Sequence, residues 1–205
     1  IANWGVTQPT NAAANGLMYY YKDFATQKIR LIVLDCIYWD DAQLTWFESV
    51  LASAKTNNYA VIGVCHYPIG NTTTIDCNFL SKDYNPTAGA RLANPIAAVD
   101  SFISGGGEFI CWLSGHTHAD GFGTITGHNG QINLIIDTAC SGSSSAQDAD
   151  ATIGARSQDC FNILGFDVYS KLIKVMRVGR DYDRHLRHIG EMCYDYANKQ
   201  LMYTR

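Results

Sequence analysis

Tyr59-Ala60-Val61-Ile62-Gly63-Val64-Cys65-His66 is a nearly unbroken apolar run that stops on a histidine. Its length suits a buried strand and falls far short of the ~20 residues a membrane helix needs. Upstream, Ile29-Arg30-Leu31-Ile32-Val33-Leu34-Asp35 reads the same way and stops on a carboxylate. Between the two, Asp40 and Asp41 suit a helix N-terminus, and Leu44, Phe47, Leu51 and Ala54 recur at helical spacing until Asn57-Asn58. Strand, helix, strand predicts a βαβ unit with parallel pairing and a right-handed crossover.

Working outward, Tyr19 to Phe24 reads as a further strand, and residues 1 to 16 as a polar loop or frayed terminus. Pro68 to Leu92 is a long polar excursion without periodicity. Pro95 to Ile103 then reads as a helix closed by Gly105 to Gly107, and Glu108 to Leu113 as a second buried strand. Strand pairs follow: Gly123 to Thr126 with Ile132 to Ile136, and Phe161 to Val168 with Leu172 to Val178 across a Tyr169-Ser170-Lys171 turn. Ser141 to Ala155, rich in Ser, Ala, Asp and Gly, reads as a loop. The expected class is α/β, with parallel strands in front and antiparallel strands behind, as two packed sheets flanked by helices.

Composition narrows the function. The chain has 205 residues, so one large domain is expected, and 47% hydrophobic residues suffice for a core without disulfide or metal staples. The net charge of −4 argues against general nucleic-acid coating, which needs a basic surface. The seven cysteines are scattered with no CxxC pair, and Cys36, Cys65 and Cys111 lie inside apolar runs. They read as reduced core thiols, which favours a cytoplasmic setting with no membrane association. No Gly-x-Ser-x-Gly elbow accompanies the serine-rich Cys140-Ser141-Gly142-Ser143.

Chemistry is expected at the strand ends. Asp35, His66 and His116 each follow a buried strand, and ligands collect beyond the carboxyl ends of parallel strands. Within Gly115-His116-Thr117-His118, two histidines at i and i+2 of an extended segment share a side. Neutral imidazoles suit zinc, iron or manganese. A lone histidine at a strand end is commonly structural; this combination points to a metal site. His128, His185 and His188 lie in polar contexts and read as solvated.

Val64-Cys65-His66-Tyr67-Pro68, followed by Gly115-His116-Thr117-His118, resembles the last two metal motifs of the calcineurin-like metallophosphoesterases. Tyr19-Tyr20-Tyr21 and the Gln43-Leu44-Thr45-Trp46-Phe47 helix fit the same family. Arg177-Val178-Gly179-Arg180-Asp181-Tyr182-Asp183-Arg184 is similar to a C-terminal run of its bacterial and phage-associated members. The resemblance spans roughly residues 17 to 190. It implies an α/β/β/α sandwich of mixed sheets and hydrolysis of phosphomonoesters or phosphodiesters at a two-metal centre. It also implies that His66 and His116 hold one ion and His118 the other, with Zn, Mn, Fe or Mg as the metal.

The family's Asp-x-His, Gly-Asp-x-x-Asp and Gly-Asn-His motifs have no match in residues 1 to 28. The chain therefore resembles an incomplete, carboxyl-terminal part of such a domain, with residues 1–16 as a polar N-terminal segment ahead of 17–205. The resemblance then leaves no catalytic residue in this chain, at most one bound ion and weak hydrolysis in isolation. Self-association through uncovered core faces is expected. The alternative function is a non-catalytic binding module derived from the same fold. Asp35 reads either as an outer partner of a ligating histidine or as a strand-end carboxylate that faces solvent or caps the next loop. Arg177, Arg180 and Arg184 either grip a phosphate or pair with Asp181 and Asp183.

Overall fold

The computed structural model describes residues 5–35, 40–66, 94–115, 121–124, 132–136, 160–179 and 191–204. In chain order the elements are α1 (Thr10–Ala14), β1 (Tyr20–Phe24), β2 (Ile29–Val33), α2 (Asp41–Thr56), β3 (Ala60–Val64), α3 (Asn94–Ser104) and β4 (Phe109–Ser114). Then come β5 (Gly121–Thr124), β6 (Asn133–Ile136), β7 (Cys160–Asp167), β8 (Leu172–Gly179), β9 (Glu191–Asp195) and β10 (Gln200–Thr204).

The first sheet has six strands in the order β1-β2-β3-β4-β6-β5, and the second has four in the order β10-β9-β8-β7. Strands β2, β3, β4 and β6 are parallel neighbours, while β1 and β5 close the edges antiparallel. The predicted βαβ unit is thus present as β2–α2–β3, and α3 makes a second crossover from β3 to β4. Asp40 caps α2 in extended geometry, its Oδ1 accepting from Gln43 N at 2.8 Å. At the other end, Asn57 closes the helix and Asn58 turns the chain at φ 55°.

Both helices cover one face of the first sheet. Phe47, Val50, Leu51 and Ala54 of α2 and Ile96, Val99 and Phe102 of α3 pack on Ile32, Val61, Phe109 and Trp112. The opposite face meets the second sheet through Ile62, Ile110, Cys111 and Ile135 against Ile173, Val175, Met192 and Tyr194. Helix, sheet, sheet are three layers of the expected α/β/β/α sandwich. Among the described residues no helix covers the outer face of the second sheet, where Phe161, Ile163 and Met176 are exposed.

A register shift in β4 decides which of its side chains meets which layer. Val61 pairs with Phe109, but Ile62 pairs with Cys111, so β4 carries an extra residue at Ile110. Such a bulge resets the alternation of faces. Phe109 and Trp112 consequently face the helices, and Ile110 and Cys111 both face the second sheet.

Two expectations need correction. Residues 1 to 16 are not wholly loop or frayed terminus: Thr10–Ala14 is helical, Ala12 is fully buried, and Thr7 bridges Tyr21. A short helix packed by one alanine leaves almost no periodic signal. The β9–β10 hairpin is likewise an addition to the expected elements, and it supplies half of the second sheet. Cys65 and Cys111 are buried thiols outside any disulfide, as expected, and Cys193 joins them; Cys36 lies outside the described residues. The segments Pro68–Leu92 and Ser141–Ala155 also lie outside them.

Candidate metal centre at the carboxyl ends of the parallel strands

Parallel ladders continue past the ends of β2, β3 and β4. Leu34 N donates to Val64 O at 2.9 Å, Cys65 N to Leu113 O at 3.0 Å, and Gly115 N to His66 O at 3.0 Å. Asp35, His66 and Gly115 are therefore brought to one rim by three adjacent strands. Side chains here leave the packed core, and His66 is exposed. Open-sheet architecture places ligands at this pole.

Gln43 fixes the exit of β2. Its fully buried amide accepts from Asp35 N at 2.8 Å and donates to Asp35 O at 3.0 Å. One side chain thus satisfies both backbone groups at a point where the sheet ladder has ended. The Asp35 carboxylate accepts from Met18 N at 3.1 Å, which ties the approach to β1 onto the same rim.

Of the six histidines, only His66 falls among the described residues. His116 and His118 lie outside them, as do Arg180 and Arg184. His116 is, however, the next residue in the chain after Gly115, whose N–H is bonded to the His66 carbonyl. Among the described residues no group of three or more His, Cys, Asp or Glu side chains converges. Arg177 lies on β8, half-buried, with Nη1 3.5 Å from Asn162 Oδ1.

Among the described residues this rim carries one imidazole, His66, on backbone fixed by ladder bonds, and imidazole is a ligand for Zn, Fe and Mn alike. Sequence reasoning missed Gln43 as the residue that anchors this rim. A buried glutamine two residues past a helix N-terminus carries no pattern of its own.

No family model matches the chain, and no curated protein matches it. Among solved structures it is similar to a dimetal phosphatase from Danio rerio, with a TM-score of 0.55 and 13% identity. The match covers 90% of this chain. The two chains share an architecture. The chain spans 62% of that protein's length, and the likeness at this identity is one of architecture. Among the described residues no helix is long and apolar enough to cross a membrane.

Proposed function

We propose that this chain is the carboxyl-terminal part of a metal-dependent phosphoesterase, in which His66, His116 and His118 are metal ligands. The observation that carries this reading is the bond from Gly115 N to His66 O between the exits of β3 and β4. It couples the backbone of one proposed ligand to the residue preceding another, at the pole where α/β sheets bind ligands. The fold shared with a dimetal phosphatase supports it.

His66, His116 and His118 would hold a divalent ion, which when bound would supply positive charge for phosphoryl oxygens and lower the pKa of water. The protein's own contribution is placement. Gln43 holds the Asp35 backbone, Asp35 holds Met18, and the ladder bonds hold residues 65, 66 and 115 in register. Arg177 and Arg184 are further groups for gripping a phosphate by paired hydrogen bonds. Three neutral ligands satisfy one ion with open positions, as in catalytic zinc sites. A second ion at the same place lacks a bridging carboxylate from these motifs, so the isolated chain holds one ion and turns over slowly.

Purified chain dialysed against Zn²⁺ or Mn²⁺ and analysed for metal tests this. The expected result is one tightly held ion per chain and a tenfold or greater loss of affinity in His66→Ala, with an unchanged circular dichroism spectrum. His66 is exposed, so its truncation leaves the core intact. Equal metal content in the variant and the parent overturns the assignment.

A further inference from the structure

Among the described residues four strands form the edges of the two sheets: β1 and β5 of the first, β10 and β7 of the second. Three of these edges are blunted. Strand β1 is met by a bridge, with Thr7 N donating to Tyr21 O at 2.8 Å and Tyr21 N to Thr7 O at 2.9 Å. Strand β5 is four residues long, and two of them are glycine. Strand β10 is interrupted by a shift in pairing between Leu201 and Tyr203. Cover, short length and irregularity protect an edge, because an open edge offers backbone N–H and C=O groups to a further strand.

Among the described residues β7 has none of these protections. Its eight residues, Cys160–Asp167, all pair with β8 without a bulge, and no described strand lies beyond it. From 160 to 166 the sequence Cys-Phe-Asn-Ile-Leu-Gly-Phe contains no proline and no charge. Asp167 is committed to the following turn, its Oδ1 accepting from Tyr169 N and Ser170 N at 3.0 Å. Leu164 and Phe166 point inward and pack between the sheets. Phe161 and Ile163 point outward, 48% and 52% exposed, and Met176 pairs with Ile163 on that face. Gly165 belongs to the same outward row. A Cβ at this glycine would meet nothing nearer than Lys174 Cβ at 3.7 Å.

We propose that β7 pairs antiparallel with β7 of a second copy of this chain, about a two-fold axis at Ile163. The two four-stranded sheets then join into one of eight. Phe161 and Gly165 stand two residues on either side of Ile163, so this register sets each phenylalanine opposite the other copy's glycine. The open space above Gly165 receives the ring, and aromatic side chains cover edge glycines in this way. Centring the pair on Asn162 or Leu164 instead would set Phe161 opposite Ile163 or Asp167 and lose that fit. The strand is thus complementary to itself, which selects a second copy over a strand of unrelated sequence. Ile163 and Met176 of both copies also form one continuous apolar row across the axis. The contact is isologous, so it uses up the β7 edge of each copy and association through it stops at two.

Sedimentation velocity of the purified chain across micromolar concentrations tests the proposal, and a dimer is expected. Ile163→Lys sets two ammonium groups against each other at the axis and is expected to weaken dimerisation at least tenfold. Its circular dichroism and urea midpoint are expected to match the parent, since Ile163 is exposed. Leu201→Lys, at an equally exposed site on the β10 edge, is expected to leave the dimer intact. Ile163→Cys, oxidised and mapped by mass spectrometry, is expected to link position 163 of one copy to position 163 of the other. Facing residues of an antiparallel pair lie within reach of such a bond. A parent chain that stays monomeric overturns the proposal, as does a dimer that survives Ile163→Lys, dissociates in Leu201→Lys or cross-links only elsewhere. The rim histidines take no part in this pairing, so the outcome is independent of the metal experiment.

Discussion

Gln43 and Arg30 show how much of this molecule depends on polar side chains in buried places. Gln43 closes two bonds with the backbone of Asp35, and its loss leaves an N–H and a C=O unpaired beside the core. Stranded backbone groups of this kind cost about 1–3 kcal/mol. Gln43→Ala is therefore expected to lower unfolding stability by that amount in urea titrations, and to weaken the metal binding proposed for the rim as well. Arg30 is 3% exposed and binds both oxygens of Asp23 while donating to Val50 O at 2.9 Å. Its guanidinium also lies 4.2 Å from the centre of the Tyr21 ring. The strand-end histidines are legible in the sequence because Gly-His-x-His is a local pattern. Gln43 and Arg30 are not, because nothing near them in sequence announces partners 8 and 20 residues away.

Elements are legible in proportion to their periodicity. Helix α2 announces itself by its apolar spacing and by Asp40, β3 by an unbroken apolar run, and β2 by one interrupted only at Arg30. The β9–β10 hairpin does not, because Leu201 and Met202 are adjacent, apolar and both exposed, and the pairing shifts between Leu201 and Tyr203. The hairpins share a subtler signal in their turns. Three described hairpins close with four-residue loops, 25–28, 168–171 and 196–199, each ending on a lysine at positive φ. Gly63 carries an element-scale prediction. A Cβ there would come within 2.8 Å of the Trp112 ring and 3.1 Å of the Phe109 ring. Gly63→Ala must displace Trp112, which is fully buried and sits edge-on to Phe47 at 6.3 Å. Overpacking of this kind costs about 1–3 kcal/mol. The expected result is a lower unfolding midpoint by denaturant titration, with tryptophan fluorescence altered in the folded state.

The two sheets are held together by more than apolar contact. Phe122 meets Tyr194 edge-on at 4.5 Å, and Asn133 reaches from β6 to Ile110 O, Tyr196 O and Lys199. Asn133→Ala removes a fully buried amide that serves both sheets and Lys199 at once. A loss of about 2–4 kcal/mol is expected, since two carbonyls and an ammonium lose a buried partner together. Hydrogen exchange in this variant is expected to rise first in β6 and β9; protection unchanged from the parent would count against the linking role. At this scale the sequence is most informative, because alternating strands and helices leave few ways to stack layers. It is silent about how the poles differ, since that depends on which ends of the strands face each other. The surplus residue at Ile110 has a bearing here that outlasts any single contact. A strand that lacked that one residue would alternate regularly and still send Trp112 toward the helices, whereas one that kept it but paired it in the ladder would turn Trp112 away. Homologous chains that keep the histidines but lack this insertion should therefore be aligned with a one-residue gap at position 110.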